Sequence, residues 1–291
     1  MIPSSFDYHA PTSVDEALGL LGELGGDAKV LAGGHSLIPA MRLRLAMPGA
    51  LVDLNKIAGL SYIKEEGGEL RIGAMTREVE LERSALVQER YPLLADAGRV
   101  IADPLVRNRG TIGGNLAHAD PANDHPAVML AYGATIVARG PGGSRDIPID
   151  DFFVGLFESA LEPGELLTEI RVPTPGAGAG GAYLKFERKV GDYAVSAVGV
   201  QLTMDGDTCT AIRAGLTNVG PVPMRATEAE NALASKTVTD ETLEEAGRAA
   251  AAGCDPSGDL RGSVEYKRDL TRILFKRAVR KAMERAKGAA R

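Results

Sequence analysis

The segment Lys29-Val30-Leu31-Ala32-Gly33-Gly34-His35-Ser36-Leu37-Ile38 constrains this chain more than any other. Lys29-Val30-Leu31 is a short apolar, β-branched run that reads as the end of a strand, and Leu37 to Leu43 can open a short helix. The two glycines between them have no Cβ, so the backbone can take positive φ and approach a ligand closely. Successive N–H groups in such a turn form a concavity that attracts anions, and a helix N-terminus behind it adds to the field. Ser36 contributes a hydroxyl, and His35 a ring that can stack or donate. Alone, the pair reads equally well as an ordinary strand-to-helix turn. A second stretch, Thr111-Ile112-Gly113-Gly114-Asn115, repeats the pattern about eighty residues later. Two such loops can face one long ligand with two phosphates from opposite sides. Neither loop carries the Gly-x-Gly-x-x-Gly dinucleotide fingerprint or a phosphate loop ending in Gly-Lys-Ser/Thr. The expected ligand is a large anion, held on another scaffold.

With 291 residues the chain can bury one large core or, more naturally, form two domains. Its net charge of −6 argues against general nucleic-acid affinity, because a phosphate-binding surface shows a basic excess. No apolar run is long enough to cross a bilayer. The opening Met-Ile-Pro-Ser-Ser-Phe-Asp has neither a basic region nor an apolar one, so no secretory signal is expected and the location expected is cytoplasmic, or at the inner membrane through partners. Cys209 and Cys254 are the only cysteines and cannot supply an iron–sulfur cluster or a Cys₄ zinc site. Both read as packing residues, and the four histidines show no metal-ligand spacing. No metal ligand and no catalytic acid–base pair or nucleophile is expected in this chain, so any electron it carries must sit on an organic cofactor.

Read in order, Ser13 with Glu16 makes a capping box for a helix whose apolar face is Ala17, Leu18, Leu21 and Leu24, with Thr12 and Asp15 as the alternative register. Leu51 to Leu54 is a second short strand, which closes a subdomain of about fifty residues. Segments flanking Gly67-Gly68 and the Gly140–Gly143 turn read as hairpins. Helical stretches are expected near Thr76 to Glu80 and Tyr91 to Leu94, and Leu166 to Val172 reads as a strand. Arg107 and Arg109 stand beside the second glycine pair, where they can attract phosphate or pair with carboxylates. His118 and His125 read as turn residues and Asp124 as a helix N-cap. Pro173 to Gly181 is rich in glycine, alanine and proline and reads as the linker. Beyond it, Ala182 to Arg188, Ala194 to Met204 and Thr208 to Thr217 alternate as three antiparallel strands. Helices follow over 226–234, 240–252 and 264–287, and residues 264–291 hold ten Lys/Arg against three Asp/Glu, a solvated face or a subunit contact.

The two glycine segments and their spacing resemble the flavin-binding medium subunit of molybdenum hydroxylases. That family includes carbon monoxide dehydrogenase and the nicotine-type dehydrogenases, and the flavin domain of xanthine dehydrogenase is related. Phe6-Asp7-Tyr8-His9-Ala10-Pro11-Thr12-Ser13, Val106-Arg107-Asn108-Arg109-Gly110 and Lys185-Phe186-Glu187-Arg188 extend the resemblance over nearly the whole chain. It implies an α+β protein: a two-subdomain α/β FAD-binding domain of the PCMH/VAO type over 1–176 (subdomains about 1–55 and 56–176), then a three-stranded antiparallel sheet with a helical bundle over 178–287. It implies FAD bound by Ala32, Gly33, Gly34, His35 and Ser36 and by Thr111, Ile112, Gly113, Gly114 and Asn115. Asp124 would contact the flavin, and Tyr193 would lie near its ring. The implied partners are a large molybdopterin subunit and a small [2Fe–2S] subunit, assembled as a dimer of heterotrimers. The implied activity is electron transfer from a partner cluster to an external acceptor. A free-standing FAD oxidoreductase with its own substrate, and a non-enzymatic nucleotide-binding or assembly module, are the competing readings.

Overall fold

The computed structural model describes residues 2–289. The chain opens with a small parallel sheet in which Ala50–Asp53 is central, flanked by Asp7–His9 and Ala28–Leu31. Every residue of the central strand is buried, as expected of a parallel strand covered on both faces. The covering helix Val14–Leu24 starts as its sequence requires, with the Ser13 hydroxyl accepting from Glu16 N at 3.1 Å. The Glu16 carboxylate reaches back to the N–H of Thr12 at 2.8 Å, one residue beyond the reciprocal partner of a standard capping box.

A five-stranded antiparallel sheet follows, in the order Ile63–Glu66, Glu69–Gly73, Leu166–Pro173, Thr135–Gly140, Gly143–Pro148. Gly67 and Gly68 make the first hairpin turn with φ of +65° and +81°, a region only glycine enters freely. Helices Glu78–Arg83, Ala85–Arg90, Pro92–Val100, Pro104–Arg107, Ile112–His118 and Asp124–Tyr132 fill the excursion between the second strand and the fourth. The last of these is buried at all nine residues, a helix inside the protein and not on its surface.

Three long strands, Ala179–Phe186, Ser196–Asp205 and Thr208–Thr217, form the last sheet, extended by Met224–Arg225 and Lys236–Thr237. Thr227–Leu233, Asp240–Ala252 and Val264–Ala289 are its helices. Cys209 and Cys254 lie in the core between sheet and helices, where burial pushes both thiols up to about 11. The glycine-rich stretch expected as a free linker is partly strand. Gly180 passes so close beneath the C-terminal helix that a Cβ would stand 2.0 Å from the carbonyl oxygen of Ala282. Its glycines serve backbone approach as well as flexibility.

The two halves share a core. Leu70, Ile72, Leu93 and Met129 belong to the same buried cluster as Tyr183, Ala194 and Ala197. At its edge Asp96 gathers Lys281 Nζ at 3.0 Å, both Arg285 Nη atoms at 2.7 and 2.9 Å, and Tyr183 N at 3.2 Å. Burial opposes the charged form of Asp96, but Arg285 and Lys281 outweigh it and hold its pKa below 3.8. Its contribution to stability is therefore present above that value and fades as pH falls through the lower folded pKa. Asp96→Asn should lower stability at pH 7 by about 2 kcal/mol, less than a fully buried pair because Lys281 and Arg285 remain partly solvated. Thermal melts of variant and wild type should diverge at pH 7 and begin to converge only as pH falls below ~4.

Candidate functional site: a cradle between two glycine segments

Strand Ala28–Leu31 delivers the first glycine segment to the edge of the parallel sheet, and helix Leu37–Arg42 follows it. Gly34 takes φ +76°. The N–H groups of Gly33, Gly34, His35 and Ser36 donate to no acceptor among the described residues. His35 Nδ1 lies 3.0 Å from the carbonyl oxygen of Gly33, which folds the ring back over the turn. The result is a run of free backbone donors on a glycine turn, an arrangement that receives oxyanions.

The second segment is built differently. Thr111 is the N-cap of helix Ile112–His118, and its hydroxyl accepts from Gly114 N at 3.2 Å. Ile112 N donates to Thr76 O at 3.1 Å, Gly113 N to Ala74 O at 3.0 Å and Asn115 N to Thr111 O at 2.9 Å. The N–H groups of Ile112 to Asn115 are thus all satisfied within the protein, so the pattern shared in sequence is not shared in structure. Here the glycines allow close packing: a Cβ on Gly113 would meet Ala74 O at 2.6 Å, and one on Gly114 would meet Thr111 Oγ1 at 2.8 Å. Asn115 keeps its side-chain Oδ1 buried without a donor.

The structure brings the two segments together. A Cβ on Gly33 would lie 2.4 Å from Arg109 O and 2.8 Å from Gly110 Cα, and one on Gly114 would lie 3.5 Å from the Ala32 methyl. The two arginines divide. Arg107 is consumed by Glu82 at 2.9 Å and the carbonyl of Ile101 at 2.8 Å. The exposed Arg109 side chain has no ion pair or hydrogen-bond acceptor among the described residues.

Asp124 and Tyr193 stand apart from the glycines. Asn123, not Asp124, is the N-cap of helix Asp124–Tyr132, and Asn123 Nδ2 donates to Asn115 O at 3.0 Å, tying that helix to the second segment. The Asp124 carboxylate is buried and turned inward, accepting from Tyr183 OH at 2.6 Å and Lys185 Nζ at 3.1 Å. Burial pushes its pKa up against the pull of Lys185. Tyr193 is 46% exposed, with the Arg261 guanidinium 5.7 Å from its ring centroid. Beside it Asp192 accepts from Arg261 at 2.9 Å and Arg188 at 3.2 Å, which hold its carboxyl at about 2. Burial, with the charge of Asp120 added, raises the pKa of the Tyr193 hydroxyl. The two histidines expected as turn residues sit in helices instead. His118 lies against Phe157 with ring centroids 5.1 Å apart, and burial lowers its pKa. His125 is buried against Glu78 at 2.6 Å; burial opposes its charge, but Glu78 outweighs it and raises its pKa.

Sequence reasoning missed the side chains that frame the cradle. Asn55 Nδ2 donates to Ala32 O at 2.9 Å, and its backbone N–H donates to Asp53 Oδ1 at 2.9 Å. Arg77 donates to Asn55 Oδ1 and to Arg109 O. The one local signal was Asp53-Leu54-Asn55 following a strand, an Asx-turn pattern.

A run of free amides beside an unmatched amide oxygen calls for a ligand with both acidic oxygens and hydroxyl donors. Two family models match the chain: the FAD binding domain in molybdopterin dehydrogenase over residues 4–175, and the CO dehydrogenase flavoprotein C-terminal domain over residues 181–282. The chain belongs to this family of FAD-binding oxidoreductase flavoproteins. Within it the chain is 50% identical over 285 residues to the carbon monoxide dehydrogenase medium chain of Hydrogenophaga pseudoflava, covering 98% of this chain and 99% of that one. It is 40% identical over 288 residues to the 6-hydroxypseudooxynicotine dehydrogenase complex subunit alpha of Paenarthrobacter nicotinovorans, covering 99% and 97%. A solved carbon monoxide dehydrogenase from Hydrogenophaga pseudoflava superposes with a TM-score of 0.96 at 52% identity, covering 98% of this chain and 99% of that chain. The chemistry of FAD matches what the cradle lacks: a diphosphate can accept from free amides such as those of Gly33 to Ser36, and hydroxyls can donate to an orphan such as Asn115 Oδ1. Among the described residues no helix is long and apolar enough to cross a membrane.

Proposed function

We propose that this chain is the electron-relay subunit of a molybdenum hydroxylase. It receives electrons from a partner's [2Fe–2S] cluster and passes them to an external acceptor. Its partners are a large molybdopterin subunit and a small iron–sulfur subunit, in a dimer of heterotrimers. The observation that carries the reading is the cradle of free amides on Gly33 to Ser36, in a chain that aligns end to end with subunits named medium chain and subunit alpha. Residues 1–176 form the FAD-binding domain and 178–287 a second domain that backs it.

Bound FAD supplies a two-electron store that single-electron carriers can fill and empty. The residues of the chain do the binding and orienting. Gly33, Gly34, His35 and Ser36 would hold the diphosphate through their free backbone N–H groups, while Ala32 would supply the adjoining wall. Thr111, Ile112, Gly113, Gly114 and Asn115 would form the facing wall, with Asn115 Oδ1 still lacking a donor. Tyr193, partly exposed, would offer an aromatic face to the flavin ring. Asp124, held by Lys185 and Tyr183, would fix the start of the buried helix against which the flavin is to be oriented.

Anaerobic spectroscopy tests the relay. The complex with its partner subunits should bleach the flavin band on adding its organic or gaseous substrate, and this chain alone, supplied with FAD, should not. Bleaching by the chain alone at the rate of the complex would replace the relay with a free-standing oxidoreductase.

A further inference from the structure

We propose that Arg77 and Asn55 are positioning residues for FAD, a brace that sets the distance between the two glycine segments. The proposal rests on the placement of FAD given above. Arg77 is where the two segments meet through side chains. Its backbone bridges Thr111, the cap of the second segment, and its own N–H is held by Glu80 Oε2 at 2.7 Å. One arm of its guanidinium donates to Arg109 O, the oxygen that a Cβ on Gly33 would strike. The other arm donates to Asn55 Oδ1, and Asn55 Nδ2 passes the connection to Ala32 O at 2.9 Å. Behind Asn55, the Asp53 carboxylate accepts its backbone N–H at 2.9 Å and Tyr8 OH at 2.5 Å, which anchors the brace in the parallel sheet.

Two physical consequences follow. First, the carbonyls of Ala32 and Arg109 stand beside the free amides, and uncapped they would present negative charge to a diphosphate. The guanidinium caps one and, through Asn55, the other, so the concavity keeps a donor character. Second, Arg77 is half-buried beside Arg109, and both burial and that neighbouring charge push its pKa down. A dianionic ligand relieves this repulsion. Lysine cannot substitute, because a single ammonium lacks the planar fork that reaches two acceptors at once.

The test is FAD affinity of the full chain in its complex, stripped of flavin and titrated back, with the thermal midpoint of each flavin-free variant measured alongside. Arg77→Gln and Asn55→Ala should each raise the Kd for FAD about tenfold, as loss of one charge-assisted hydrogen bond does. The double variant should be no worse than the weaker single, because both cut one chain of contacts. Arg77→Lys should lose as much as Arg77→Gln. Arg77→Lys at wild-type affinity would reduce the role to charge alone and overturn the brace, as would additive losses in the double variant. Gly33→Val separates this failure from failure of the site. If it loses FAD while the Arg77 and Asn55 variants keep it, the brace alone is wrong; if it also keeps FAD, the cradle is misplaced. Should Arg77→Gln not accumulate as folded protein, Asn55→Ala and Arg77→Lys still decide the matter.

Discussion

Gly33→Val is expected to strip the protein of FAD, weakening binding by well over tenfold while leaving the C-terminal sheet folded. The reason is in the backbone. A Cβ at this position would stand 2.4 Å from Arg109 O and 2.8 Å from Gly110 Cα, and neither is the end of a flexible side chain. Either the first segment retreats and its free N–H groups leave the diphosphate, or the second segment is pushed aside and carries Thr111 with it. Such a displacement costs about 1–3 kcal/mol in strain alone, and the lost hydrogen bonds add to it. A Cβ at Gly114 would instead meet the Thr111 hydroxyl at 2.8 Å, a side-chain atom, so Gly114→Val should act mainly by breaking the helix cap. Flavin content of the purified complex, read from its visible spectrum, decides this, and full flavin in Gly33→Val would remove the cradle from consideration.

The second large effect belongs to a glycine far from the cradle in sequence. Gly199 and Gly215 lie opposite each other on neighbouring strands of the C-terminal sheet. Together they form a slot for helix Asp124–Tyr132: a Cβ on Gly215 would come 2.0 Å from Ala127 O, and one on Gly199 would come 3.3 Å from the same atom. Gly215→Ala must therefore lift a helix that is buried on every side, or bend the central part of the sheet. Overpacking against backbone in this way costs about 3 kcal/mol, and the melting temperature should fall by roughly 6 to 12 °C. Because the same helix carries Asp124 and is tied through Asn123 to Asn115, flavin retention should fall as well. Gly142→Ala is the control, since nothing lies within 4 Å of its Cβ position, and its melt should match wild type. An unchanged melting temperature for Gly215→Ala would show that the slot can open at no cost.

Both effects bear on what could be read without coordinates. The local elements were legible because their causes are local. Ser13 caps its helix, Gly67-Gly68 turns its hairpin, and the alternation over Thr208 to Thr217 makes a strand, each within a few residues of its signal. The first glycine segment was legible for the same reason, since a strand, two glycines and a helix suffice to expose its amides. The C-terminal fold of three long strands and helices came from periodicity, and the family from the combination of motifs.

Tertiary structure alone decided whether a given glycine faces a ligand or another piece of the protein. Gly113-Gly114 repeats Gly33-Gly34 in sequence, yet its neighbourhood is filled by the carbonyls of Ala74 and Thr76, which come from a strand end some forty residues earlier. The glycines at 180 and 181 look like a linker because nothing local reveals the helix Val264–Ala289 lying over Gly180. Asp124 satisfies every local rule for a cap, but its charge is matched by Lys185 and Tyr183, which the last sheet brings to it. Arg77 and Asn55 meet only because the fold brings the start of the helical excursion beside the turn that follows the parallel sheet's central strand. The amino-acid sequence by itself determined most of the longer elements, the first glycine turn and the family. The pairing of polar groups across long separations was decided by packing, because a buried donor takes whichever acceptor the fold brings within reach.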